Sequence, residues 1–150
     1  MGNLGKIALQ CLILLPSFTT SAEAGRRAVI DGPVTAEIID VIDGDTLLVR
    51  AIPWPQHSIE VYVRLRGIDA PEIRSKCSAI RSADKDAKAA LRQLTGVGAT
   101  VSLSHISGEK YFGRVVADIR LDDGSDPVVD LLSEGHVRRY DGGRKPPSAC

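Results

Sequence analysis

The residues best suited to chemistry lie in three short stretches of the chain. Asp43 and Asp45 flank Gly44 in V-I-D-G-D-T. Acids on a tight turn are ordinary turn formers, and one of them can equally serve a divalent cation as a hard oxygen ligand. The second stretch, V-R-L-R-G-I-D-A-P-E, sets Arg64, Arg66, Asp69 and Glu72 within a few residues of one another. On a strand Arg64 and Arg66 share a face. A barrel interior cannot hold an unpaired arginine cheaply, so whichever points inward must meet anions. Asp69, at the strand end, is placed to meet Asp45 across the hairpin, which brings two carboxylates to one ion. Glu72 follows a proline turn that can hold it at the edge of that site; in isolation it reads as a solvated loop glutamate. The third stretch, K-Y-F-G-R, opens a later strand. Arg114 would ordinarily lie on a strand surface, but Gly113 before it permits close backbone approach or positive φ and so can aim the side chain.

Positioning these residues requires strands that hold a register. Val34 to Val41 is rich in Val and Ile with polar residues between them, Asp43-Gly44-Asp45 signals a turn, and Thr46 to Ile52 resumes the extended pattern. Pro53, Trp54 and Pro55 break it. Ile59 to Ile68 alternates again, which completes a three-strand meander stopped by Ala70-Pro71-Glu72. The spacing of Ala79, Ala83, Ala87, Ala90, Leu91 and Leu94 predicts a helix over Ser78 to Leu94, ended by Gly96 and Gly98. Thr100 to Ile106 and Arg114 to Leu121 predict two further strands, and Pro127 to Gly135 a short helix. Three strands, a helix, two strands and a helix is the order of an OB-fold, a five-stranded α+β (mainly β) barrel carrying about two to three helices. Other small α+β folds share that order.

The first residues read as a leader. Met1 to Lys6 carries positive charge, Ile7 to Leu15 is apolar apart from Gln10, and Ala22-Glu23-Ala24 is an A-x-A site. Residues 1–24 are therefore expected to be a cleaved signal peptide and 25–150 one domain, exported to a periplasm or beyond the cell. Gln10 before Cys11 does not suit a lipoprotein, so a soluble product is expected. Losing Cys11 leaves Cys77 and Cys150, an even pair in an exported chain, which predicts a disulfide; two free thiols are the alternative. Formal net charge is zero, with 19 Lys and Arg against 19 Asp and Glu, so bulk charge does not point to nucleic acid. Basic residues nevertheless crowd the stretch from Arg64 to Arg81 and the tail at Arg138, Arg139, Arg144 and Lys145, either of which can be a solvated face.

Taken together, V-I-D-G-D-T, V-R-L-R-G-I-D-A-P-E and K-Y-F-G-R resemble the three signature segments of the thermonuclease (staphylococcal-nuclease-like) family, in that family's order and spacing, over roughly Val34 to Tyr140. The resemblance implies an OB-fold nuclease that hydrolyses phosphodiester bonds of DNA, RNA or both with calcium as cofactor. By position, Asp45 and Asp69 match the calcium ligands, and Ala70 matches a residue that offers the ion its backbone carbonyl. Many relatives have threonine there, and alanine keeps the carbonyl. Arg64 and Arg114 match the phosphate-binding arginines, Glu72 the proposed general base, and Asp43 an acid that supports the ion indirectly. Tyr111 and Tyr140 match substrate-side tyrosines, with Phe112 an extra residue relative to the commonest K-Y-G-R form. A monomer without stable membrane association is expected. The competing expectation is a non-catalytic OB module that binds single-stranded nucleic acid.

Overall fold

The computed structural model describes residues 28–143, 145 and 150, so the leader expected at 1–24 lies outside the described residues. In chain order the elements are β1 (Val29–Ile30), β2 (Val34–Asp43), β3 (Thr46–Trp54), β4 (His57–Leu65), β5 (Ile68–Asp69), α1 (Ser78–Thr95), β6 (Thr100–Gly108), β7 (Arg114–Leu121), α2 (Pro127–Ser133) and β8 (Arg138–Arg139). β2, β3 and β4 form the antiparallel meander. β4 then pairs with β7 in parallel, β7 with β6 antiparallel, and β6 returns to β2, which closes a five-stranded barrel of OB-fold type. β1 extends the sheet along β6.

The alternation read from the sequence becomes the barrel's inside. Val34, Ala36 and Ile38 from β2, Leu47, Val49 and Ala51 from β3, and Val63 and Leu65 from β4 are buried, with Val101, Leu103, Ala117 and Ile119 across from them. Ala87 and Leu91 of α1 and Leu131 of α2 join the same core. α2 begins as its sequence dictates: Asp126 accepts from the Val128 amide at 3.0 Å and Pro127 takes the first turn.

Four local departures from the expected layout are seen. β3 runs on through Pro53 and Trp54, because a register shift between Ala51 and Trp54 accommodates the proline and the chain turns instead at Gln56, with φ 66°. Ile59, at the outer part of β4, is exposed rather than part of the inner alternation. The strand expected to reach Ile68 ends at Leu65; Gly67 adopts φ 81°, and Ile68–Asp69 forms a separate strand paired with β8. On α1 the inward face is rotated from the alanine pattern, so that Ala79 is exposed while Asp84, Ala87, Leu91 and Thr95 are buried.

Cys77 and Cys150 form the expected disulfide, with Cα atoms 5.5 Å apart. The bond ties the last residue to the position preceding α1. Among the described residues no helix is long and apolar enough to cross a membrane.

Candidate active site

Strand register brings the three stretches together. In β3–β4 pairing Thr46 lies opposite Arg64, and the ladder continues one step through the Leu65 amide, which donates to the Asp45 carbonyl at 2.9 Å. Asp45 is thereby set beside Arg64. Parallel pairing of β4 with β7 puts Tyr62 opposite Arg114. Because paired residues project to the same face and side chains repeat every second residue, Arg64 and Arg114 emerge on one side of the sheet. β5 carries Asp69 directly opposite Arg138 of β8.

Arg64 is the centre of the arrangement. Its Nη1 lies 2.9 Å from Asp45 Oδ2, and its Nη2 donates to Asp69 Oδ1 at 3.0 Å and to the Ile68 carbonyl at 3.3 Å. Asp45 and Asp69, expected to meet around one ion, are instead separated by the guanidinium, whose fork spans both carboxylates. Asp45 further accepts from the Ala70 amide at 3.0 Å and the Thr46 hydroxyl at 2.8 Å. Its own amide donates to Asp43 Oδ1 at 3.1 Å. Burial raises the pKa of Asp45, against the pull of Arg64 and with the push of Asp43.

Asp69 is also buried, but three cations surround it. Besides Arg64, Arg138 reaches Oδ2 through Nη2 at 2.7 Å and Nε at 3.1 Å, and Lys145 Nζ lies 2.6 Å from Oδ1. Burial opposes ionisation here too, yet hydrogen bonds from Lys145, Arg138 and Arg64 outweigh it and hold the carboxyl below the usual range. Arg138 and Lys145 belong to the basic tail, which the sequence leaves readable as a solvated face. Arg138 is set opposite Asp69 by the β5–β8 pair and Lys145 reaches it from further along the tail, and nothing in the local sequence announces either contact.

Two recesses adjoin at Arg64. The larger, about 810 Å³, is a cleft lined by Arg64, Arg66, Glu72, Lys110, Tyr111, Arg114, Tyr140 and Lys145 among others. Arg114 is clasped there by Glu109 through Nε and, at 2.9 Å, through Nη2, and its guanidinium lies 4.9 Å from the Tyr111 ring centre. That clasp raises the arginine's pKa. Tyr140 donates to the Gly143 carbonyl at 2.7 Å. Phe112, beside Tyr111 in the β6–β7 connection, stands fully in solvent. The smaller recess, about 190 Å³, is lined by Asp43, Asp45, Arg64, Ala70, Glu72, Asp84 and Lys145 among others. Glu72 faces both recesses, is exposed, and lies 3.5 Å from Lys145 Nζ.

Arg64, Arg114, Glu72, Tyr111 and Tyr140 thus share the cleft, while Asp43, Asp45 and Ala70 share the small hollow with Asp84. Asp69 opens instead onto a third recess, with Ala70, Pro71 and Arg138. Asp84 is the site residue that sequence reasoning misses. An aspartate on an alanine-rich helix reads as part of the solvent face; its place one turn before Ala87, on the same side, is the signal that was present.

Among the described residues no three His, Cys, Asp or Glu side chains are drawn together as a ligand cage. The small hollow nonetheless carries carboxylate oxygens from Asp43, Asp45, Glu72 and Asp84 against the cations of Arg64, Arg74 and Lys145. That donor chemistry fits a hard divalent cation that keeps part of its water shell, and calcium is of this kind. Compared with models of known protein families and with curated proteins, the chain matches none.

Proposed function

We propose that the protein is an exported, calcium-dependent nuclease of thermonuclease type, which hydrolyses phosphodiester bonds in DNA, RNA or both. The observation that carries this reading is the cleft in which Arg64, Arg114 and Glu72 face one space beside an acid-lined hollow. The Cys77–Cys150 disulfide supports export, since such bonds persist in oxidising compartments.

Attack of water on phosphorus builds negative charge on the phosphoryl oxygens. Asp45, Asp69 and the Ala70 carbonyl would hold the calcium, with Asp43 behind them. When bound, the cation supplies Lewis-acid charge to one phosphoryl oxygen. Arg64 and Arg114 offer planar, forked donors to the remaining oxygens. Each is already oriented by carboxylates, Arg64 by Asp45 and Asp69 and Arg114 by Glu109, so the forks are pre-aimed and swap or share partners when a phosphate arrives. Glu72, at the mouth of both recesses, orients or deprotonates the attacking water. Asp69 is committed to three cations, and it would hold the ion only by giving up its contact with Lys145. Tyr111 and Tyr140 line the cleft where sugar and base would lie.

Incubating purified protein with single-stranded DNA and with RNA, in calcium and in chelator, tests the reading. Shortened fragments in calcium and intact substrate in chelator are expected. Retarded but uncut substrate in both conditions would return the protein to the class of non-catalytic OB modules.

A further inference from the structure

Asp84 is the part of the acid hollow that none of the three signature stretches supplies. It lies on α1 one turn before Ala87, and Ala87 is where the β2–β3 turn docks. A Cβ on Gly44 would fall 2.5 Å from the Ala87 Cβ and 3.0 Å from the Ala70 Cβ. The absence of that Cβ lets the turn bearing Asp43 and Asp45 press onto the helix face that carries Asp84.

Only 2% of Asp84 is exposed, and no described residue gives it a hydrogen bond or ion pair. Among the described residues no fully enclosed side-chain nitrogen or oxygen lacks a partner. Asp84 lines the hollow together with Asp43 and Asp45. Burial raises the pKa of this carboxyl, partly relieved by Lys88 and reinforced by Asp45. An acid held this way destabilises the fold unless something positive arrives, and a small apolar residue would pack the same face at lower cost.

We propose that Asp84 is a further carboxylate at the edge of the cation site, adding its charge to the hollow and receiving the water shell of a bound divalent cation rather than the ion itself. The inference rests on the cation hollow of the proposed function. It assigns part of the site's affinity to charge count, which tunes calcium binding in oxygen-ligand sites.

The test is a calcium titration by calorimetry of the metal-stripped protein, paired with thermal unfolding in chelator. It compares wild type with Asp84→Asn, Asp84→Ala and Asp45→Asn. Wild type is expected to bind calcium and Asp45→Asn to lose it. Both Asp84 variants are expected to bind about 10- to 100-fold more weakly while unfolding in chelator at the same or a higher temperature than wild type. Unchanged calcium affinity in the Asp84 variants beside a loss in Asp45→Asn would overturn the role of Asp84 and leave the hollow standing. So would variants that unfold earlier or fail to fold, which is the mark of a purely structural acid. No binding by wild type would overturn the hollow itself.

Discussion

The cleft and the hollow share Arg64, Glu72 and Lys145 and differ in almost everything else. The cleft adds Arg66, Lys110 and Arg114 against Glu109 and Asp141, with two tyrosines; the hollow adds Asp43, Asp45 and Asp84 against Arg74. One is large, basic and aromatic, the other small and acidic. A chain of zero net charge has thus separated its charges locally, and under the proposed function an anion and a cation would take neighbouring seats on either side of one guanidinium. The lesson is that Arg64 serves both sides. It neutralises the acids when the protein is empty and faces the space where a phosphate would lie.

The largest expected effect on activity comes from breaking the cleft side. Arg64→Lys and Arg114→Lys should each lose on the order of 3 kcal/mol of transition-state stabilisation, because the second donor of the fork disappears. Steady-state rates on a defined oligonucleotide measure this, and near-normal turnover in either variant would assign the phosphate to the other arginine alone. The next effect concerns the boundary. Lys145 follows the β8 pair, on a tail whose last residue is fixed by the disulfide. Replacing Cys77 and Cys150 by serine should reduce stability by up to about 4 kcal/mol in the chain-entropy picture, as urea unfolding will register. An unchanged midpoint would mean that the tail contributes nothing to holding the fold.

On the Asp69 side the sign of the pH dependence is fixed. Its folded pKa is lowered, so its contribution to stability is complete above the ordinary aspartate value of 3.8 and disappears as pH falls through the lower folded value. In chelator, the stability gap between wild type and Asp69→Asn should be constant near neutrality and shrink on the acid limb. A gap independent of pH would show that the ion pairs with Arg64, Arg138 and Lys145 are not formed in solution. The smallest effect is expected for Lys145→Met. Removing an ammonium that competes for Asp69 should tighten calcium binding by about 1 kcal/mol or less, since Lys145 is partly exposed. Weaker binding in this variant would instead make Lys145 an organiser of the site.

What the sequence reveals and what it hides divides along the same lines. The barrel was legible because period-2 alternation is a local signal: β7 begins and ends where its pattern says, at Arg114 and Leu121, and α1 differs by one residue at its end. Arg64 and Arg114 share a cleft because the meander and the parallel β4–β7 pair determine their register, and Glu72 joins them from the turn after β5, which β8 holds. Asp84 was hidden because burial of a helix face is decided by what docks on it, here the Gly44 turn, and an acid in that place violates the usual pattern. The Arg138 and Lys145 contacts with Asp69 were hidden for a related reason. They depend on a two-residue strand pair and a distant tail, where no periodicity can accumulate.

The central claim is that the cleft and the hollow act on one phosphate. Calorimetric titration of calcium, with and without a nuclease-resistant phosphorothioate oligonucleotide, tests that claim most directly. Tighter calcium binding with the oligonucleotide present, matched by an equal gain in oligonucleotide affinity with calcium present, is the predicted result. Identical affinities in both arms would mean that the two recesses work independently, and the account would fail.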